Sequence, residues 1–370
     1  MNFDFSDDSK LLREQAQRFL REHCTPKVVR HVMEGHVPYS EALWQAMAEM
    51  GWLGAAIPER YEGAGLGYEA LCVLAEELGR VLAPVPFVST VCLAAEAILA
   101  VGSEAQKREY LPKIVRGELI ATFALAEGAG EPREAGVRAR LVDARISGSK
   151  WPVSDGSIAQ LAVVAARDAA GVMVALVDLA APGVARGTLP MVDPSADHAK
   201  LDFDSAPAEL LGTGRHGWDA VQRLLDRAAI LTAFAQVGGA AASLEMATAY
   251  AKERFAFGRP IGSFQAIKHK LADVYVATEL ARSNAYYGAW ALSADAADLP
   301  LAAATARVSA SDAFFLAAKE NIQVHGGVGF TWDYDCHLFY RRAKLLALSL
   351  GSQRYWKDRV VSELETRNAA

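Results

Sequence analysis

The sequence predicts an α+β chain that is mostly α. A helical N-terminal domain is expected over 1–117, a small central β-barrel over 118–212, and a C-terminal four-helix bundle over 213–370. Three observations carry this. Apolar residues recur at helical spacing in the first zone. Short β-branched runs cut by Gly, Asp and Ser pairs fill the second. Long alanine-rich segments with short Gly/Pro connections fill the third.

In the first zone, Ser6 precedes "DDSKLLREQAQRFLREH", where positions 11, 12, 16, 19 and 20 form an apolar stripe behind an N-cap. Residues 40–50 and 68–80 repeat that texture. "PERYEGAGLG" (58–67) reads as a glycine-rich turn, and "PVPF" (84–87) is a breaker. In the second zone, "ARISGSKWPVSDGSIAQLAVVAARDAAGVMVALVDL" (144–179) reads as antiparallel strands and turns of a small barrel or sandwich. In the third, 218–257 reads as one helix with few breakers besides Gly238–Gly239. "GRPIG" (258–262) ends it, with Gly258 as C′ cap and Pro260 following. Ser263 is expected to cap a second helix to about 293. "DLP" (298–300) separates a third over 301–325, and a fourth runs from near 335 to near Gly351.

The 370 residues suffice for two or three packed units, and 52% hydrophobic with 22% charged residues is an ordinary globular composition. A net charge of −6 without a basic block argues against nucleic acid as a partner. Cys24, Cys72, Cys92 and Cys336 are scattered without CxxC spacing, so neither a zinc site nor a disulfide framework is expected. The N-terminus lacks an apolar signal region, and "LAAEAILAVG" (93–102) is too short to span a bilayer. The expectation is a cytoplasmic protein without membrane insertion.

Two stretches point to chemistry. "NIQVHGGVGFTW" (321–332) places two glycines together after a helical run. Glycine costs about 1 kcal/mol against alanine inside a helix. The run is therefore a helix stop, or a place where the backbone comes close to something bulky. In "YAKERFAFGRPIGSFQAIKHKLADVY" (250–275), Arg254, Phe257 and Gln265 flank a tight turn. A guanidinium, an aromatic face and an amide suit a phosphate-bearing heteroaromatic ligand. On composition alone, a capped helix–turn–helix with a core Phe accounts for the same residues.

"ERFAFGRPIGSFQAIKHKLAD", "QVHGGVGFTWDYD" and the early "PERYEGAGLGYEALCVLAEELGR" resemble the acyl-CoA dehydrogenase family, and the resemblance runs nearly end to end. It implies α,β-desaturation of an acyl-CoA thioester: a carboxylate takes the α-proton and the β-hydrogen leaves as hydride to FAD. It also implies a homo- or hetero-tetramer and an electron-transfer flavoprotein as acceptor. Carried over by motif, the adenosine side of FAD meets Arg254, Phe257, Ile261, Gln265, Gln323, Gly326 and Gly327, reached from a neighbouring subunit. His325 is expected to be a packing or helix-end residue. The ring side falls to Leu125, Ala126 and Ser154, and Ser352 is a further FAD-binding position.

The resemblance is incomplete where the chemistry lies. The family's glutamate before a late glycine is Leu350 here, and the alternative seat early in the first bundle helix is Ala228. Asp226, two residues from that seat, is turned away by about 200° on a helix and reads as a helix-end acid. The ring-side loop, "LAEGAGEPREAG" (125–136), has Ala126 for the usual threonine and lacks the Gly-Ser-Asp run. In "KWPVSDG" (150–156), Pro152 takes the aromatic seat and Ser154 the hydroxyl seat. Trp151 is one step off and faces the other side of a regular strand, unless the alignment slips by one. Three readings follow: an enzyme in its own right, its base supplied by Glu127 or a bound water; a partner subunit giving adenosine-side contacts to a catalytic chain; or a redox-inactive acyl-CoA binder or scaffold. Small residues at 228, 229 and 233 suggest room for a bulky or ring-bearing acyl group. The Ala/Gly-rich segment 232–251 allows close helix approach, between chains or within one.

Overall fold

A computed structural model describes residues 5–214 and 216–369. The chain divides into two compact units. One comprises Met1–Val29, Cys72–Ala83 and Ala229–Ala370; the other comprises Arg30–Leu71 and Pro84–Ala228.

The N-terminal part is helical: α1 (Asp7–His23), α2 (Pro26–Met33), α3 (Glu41–Glu49) and α4 (Gly67–Arg80). A π-helical stretch, Val88–Ala95, then runs into α5 (Glu96–Val101), and α6 (Glu104–Val115) follows. The Ser6 hydroxyl caps α1, accepting from the Ser9 amide at 3.2 Å, as expected from sequence. At α6 a reciprocal capping box forms. Gln106 N donates to Ser103 Oγ at 3.2 Å, and Ser103 N donates to Gln106 Oε1 at 2.9 Å.

Eight strands follow: β1 (Ala121–Ala124), β2 (Arg140–Val142), β3 (Arg145–Ser154), β4 (Leu161–Asp168), β5 (Gly171–Asp178), β6 (Val184–Thr188), β7 (His198–Pro207) and β8 (Glu209–Leu210). They form one sheet in the order β6-β7-β3-β2-β4-β5-β8, with β1 on β4. The ends of that path do not pair, so the expected barrel is a curled but open sheet. It is also mixed, since β1 and β2 run parallel to β4. Residues 161–166 and 172–177 are buried without alternation, as strands covered on both faces must be.

The C-terminal part opens with α7 (Gly217–Glu253), then a short hairpin of β9 (Phe255–Ala256) and β10 (Arg259–Pro260). Then come α8 (Gln265–Ser293), α9 (Leu299–His325), α10 (Cys336–Leu348) and α11 (Gln353–Ala369). α9 packs against α8, α10 and α11. Two expectations are corrected here. Gly258 is not a helix C′ residue: Phe257 (φ 52°) and Gly258 (φ 77°) are the two central residues of a hairpin turn, both left-handed as a type I′ turn requires. Ser263 caps no helix, because its hydroxyl donates to Pro260 O at 2.7 Å inside a 3-10 turn. The fourth helix ends near Gly351 as expected, at Leu348, and a further helix, α11, follows it, with Tyr355 N donating to Ser352 Oγ at 3.3 Å.

The glycine pair in α7 serves contacts within the chain. A Cβ on Gly238 would lie 1.9 Å from Glu76 O, and one on Gly79 would lie 2.0 Å from Ala235 O, so α4 and α7 touch backbone to backbone. A Cβ on Gly239 would meet the Phe314 ring at 2.4 Å. Gly238→Ala is therefore expected to force the helices apart, costing about 1–3 kcal/mol or more, and to lower the thermal midpoint. An unchanged midpoint would contradict this packing. Beside the crossing, the buried carboxylates of Glu76 and Glu77 are held by arginines. Arg13 Nη2 lies 3.0 Å from Glu76 Oε2, Arg282 also pairs with Glu76, and Arg80 Nε lies 3.2 Å from Glu77 Oε2. Among the described residues α7 alone is long and apolar enough to cross a bilayer, but 78% of its most apolar window is buried in the protein.

Candidate active site

The bend after α7 and the end of α9 come together in one unit. Ala247, Ala251 and Val324 form a small buried cluster against which Tyr250, Ile261, Ile267 and Leu271 pack. Tyr250 stacks on His325 with ring centroids 4.0 Å apart. His325 Nδ1 lies 2.8 Å from Asn321 O, and burial pushes its pKa down, so the ring is a neutral packing residue. Around this knot Arg254, Gln265, Gln323, Gly326 and Gly327 are all exposed, and Ile261 is half-buried. Phe257 is 95% exposed in a left-handed conformation. An aromatic ring held out in water on a strained residue has no role in this chain's own core.

The glycines divide by cause. Gly326 (φ 63°, ψ −139°) closes α9 in a region open to glycine, so backbone geometry explains it. Gly329 is pressed against Ile322 O, 2.7 Å from where its Cβ would be. Gly327 has neither a positive φ nor any atom within 4 Å of an added Cβ. The chain itself gives no reason for its missing side chain. A guanidinium, two amides and an aromatic face are left exposed on the segments that meet at this knot, groups of the kind that bind phosphate and a heteroaromatic ring. Gly327→Ala is expected to leave the unfolding midpoint unchanged and to weaken FAD binding, as read by fluorescence titration. A drop in stability without loss of affinity would refute it.

The ring-side positions lie in the other unit. Leu125 and Ala126 leave β1 half-buried. The loop is stitched to β3: Trp151 N donates to Ala126 O at 2.8 Å, and Gly128 N donates to Trp151 O at 2.9 Å. The strand is not regular at Trp151. The β3–β7 register slips between Lys150 and Val153, so two consecutive residues, Trp151 and Pro152, are exposed between two buried ones. The expectation that alternation sends Trp151 to the face opposite Pro152 therefore fails. Trp151 lies over Gly128, beside the loop.

Lys150 is fully buried, in phase with Ile146. Its ammonium donates to Leu125 O at 3.1 Å and to Glu127 Oε1 at 2.7 Å. Burial pushes its pKa down, to about 8, against the pull of Glu127. Glu127 is itself saturated, accepting also from Ala139 N and Arg138 N, both at 2.9 Å. Burial alone would raise its pKa; the Ala139 amide, Lys150 and the Arg138 amide outweigh that and hold it below the usual carboxylate range. A carboxylate so stabilised is a weak base, which removes Glu127 as the source of α-proton abstraction.

The base positions are apolar, as read from sequence. Ala228 is fully buried in α7, as are Ala229 and Ala233, so their small size serves packing. Asp226 is buried too, in the body of α7 rather than its first turn. Leu350 is half-buried at φ 63°, on the turn between α10 and α11. That turn is held by Arg307, which is 1% exposed. Its guanidinium donates to Ser349 O at 2.7 Å, to Ser311 Oγ at 2.9 Å, and to Leu346 O and Gln236 Oε1. No carboxylate pairs with it among the described residues, and burial pushes its pKa down to about 9. Ser352, the further expected FAD-binding position, carries the α11 cap. Sequence reasoning missed Lys150 and Arg307; the one available signal was a lone cation in phase with apolar neighbours.

A helical N-terminal part, a curled middle sheet and a helical C-terminal part are the build of a flavin-dependent acyl-CoA oxidoreductase. The chain belongs to the acyl-CoA dehydrogenase family: residues 6–118 match its N-terminal domain and residues 215–364 its C-terminal domain. It is 33% identical to the acyl-CoA dehydrogenase IpdE2 of Mycobacterium tuberculosis over 361 residues, covering 97% of this chain and 98% of that one. Among solved structures, a variant of the Tcur3481-Tcur3483 steroid ACAD superposes with a TM-score of 0.91 at 33% identity, covering 98% and 99% of the two chains. The ChsE4-ChsE5 complex of M. tuberculosis gives 0.91 at 29% identity, covering 99% of each. The family's cofactor is FAD, and its reaction is oxidation of a CH–CH bond of an acyl-CoA.

Proposed function

We propose that this chain works as a subunit of a tetrameric acyl-CoA dehydrogenase in which each FAD lies against two chains. The carrying observation is that Arg254, Phe257, Gln265 and Gln323 are exposed on segments that pack together at Ile261 and Val324, while Gly327 has open space where a side chain would be. Arg254 would meet a phosphate, Phe257 the adenine face, and the amides the remaining polar edges. On the ring side, Ser154 and the backbone of Leu125–Ala126 would face the isoalloxazine, with Trp151 beside them. When bound, FAD accepts the β-hydrogen as hydride. The electrons then pass to an electron-transfer flavoprotein.

One observation favours a second reading. Neither family seat for the base carries an acid, and Glu127 is locked. One of the similar solved structures is a ChsE4-ChsE5 complex, and another carries the paired name Tcur3481-Tcur3483. In this reading the tetramer is mixed, and the chain lends its adenosine-side corner to an FAD whose ring and base belong to a second, related chain. The purified protein separates the two. If it is yellow alone, with one FAD per chain, and bleaches anaerobically on adding an acyl-CoA, the second reading fails. If colour and bleaching need the second chain, with one FAD per pair, the first fails. We also infer a ring-bearing acyl group, from the likeness to a steroid ACAD; bleaching by butyryl-CoA alone, and not by a ring-bearing thioester, would exclude it. A cytoplasmic location is our inference from four buried cysteines scattered without CxxC spacing.

A further inference from the structure

Three aromatic rings join the end of α7 to the end of α9, all within one unit. Tyr250 stacks on His325 with the ring planes at 25°. Tyr334, from the segment before α10, meets both rings edge-on, with centroids 6.2 Å from Tyr250 and 5.7 Å from His325. A leucine at 325 would fill this space without burying a polar ring. The imidazole adds a fixed orientation: its Nδ1 lies 2.8 Å from Asn321 O, so the ring is held by a polar contact at its edge and by Tyr250 on its face.

Both stacked residues lead straight into the segments that carry the exposed Arg254 and Gly327. Arg254 N donates to Tyr250 O at 2.9 Å, and Arg254 O accepts from Ile261 N at 2.7 Å. The Arg254 backbone is thus tied to Tyr250 on one side and to the returning hairpin on the other. His325 is followed directly by Gly326, whose φ of 63° turns the chain out of α9. The stack therefore sets the separation between the Arg254 backbone and the Gly326–Gly327 pair.

We propose that Tyr250 and His325 are positioning residues whose stack sets the reach of the Arg254 guanidinium to the phosphates of an FAD lying over Gly327. This rests on the reading that the adenosine side of FAD meets these segments. Both residues act through Arg254 and not by contact with the cofactor. A guanidinium displaced from its paired geometry loses the forked hydrogen bonds through which it holds a phosphate.

The test is FAD affinity, by fluorescence titration of the apoprotein with any partner chain it needs. His325→Phe keeps a ring that can stack. His325→Asn keeps a polar group near Asn321 O but cannot stack. His325→Asn and Tyr250→Leu are each expected to weaken FAD binding about tenfold, the order of one charge-assisted hydrogen bond. His325→Phe should stay near wild type. In an Arg254→Ala background, His325→Asn and Tyr250→Leu should add nothing further, because the stack acts through that guanidinium. A general loosening would add its loss in full, and that result overturns the proposal. So does unchanged affinity in His325→Asn and Tyr250→Leu when Arg254→Ala weakens binding. If Arg254→Ala itself leaves FAD affinity unchanged, FAD does not lie on these segments. The adenosine-side reading then fails, and this inference with it.

Discussion

Leu350→Glu is expected to accelerate acyl-CoA-dependent bleaching of bound FAD by roughly 10²–10⁴-fold, the usual contribution of a positioned general base. The backbone already accommodates it. Leu350 sits at φ 63° in a turn pinned by Arg307, so glutamate pays no conformational cost that leucine does not. The position is half-buried, and partial desolvation strengthens a carboxylate as a base. The measurement is single-turnover absorbance under anaerobic conditions, wild type against variant, with the same thioester. No gain in the isolated chain, together with full bleaching in a mixed assembly that contains wild-type Leu350, would place the ring and the base on the other chain.

Glu127→Gln is expected to destabilise the sheet-containing unit by roughly 3–5 kcal/mol, since it strands the buried Lys150 ammonium without its counter-charge. Lys150→Met in the same protein should recover much of that loss, because the double variant buries no unpaired charge. Urea unfolding of the four proteins checks it, and additive losses would refute the coupling. The pH sign follows from the shift. The folded-state pKa of Glu127 lies below its ordinary 4.5, so its contribution is complete above about that pH. It is lost as the pH falls through the lower folded value. The Glu127→Gln protein should therefore lose its disadvantage to wild type in acid. Because the same pair ties Leu125 O to Lys150, the ring-side loop should loosen in Glu127→Gln, visible as faster amide exchange over the 125–128 segment.

Much of this protein was legible in its sequence, because the signals were local. The Ser6 cap of α1, the helical stripes and the short β-branched runs each report a property of a few neighbouring residues. The proposed corner of Arg254, Phe257, Gln265, Gln323 and Gly327 comes from two contiguous motifs, and the structure leaves the first four exposed and Gly327 open; Leu350 and Ala228 are apolar by sequence alone. What pairwise distance decides was not legible. Gly258 and Pro260 read as a helix end, because a glycine followed by a proline is a local stop signal; the left-handed Phe257–Gly258 pair and its strand pairing make it a hairpin instead. Gly238 read as a seam between or within chains until Glu76 O was found against it. Trp151 was misassigned because strand alternation assumes no bulge, and a bulge depends on the register with β7. Glu127, Lys150 and Arg307 are ordinary residues in the one-dimensional string. Their charge states come from burial and from partners far along the chain, and desolvation and hydrogen-bond geometry exist only once the fold has brought those partners together.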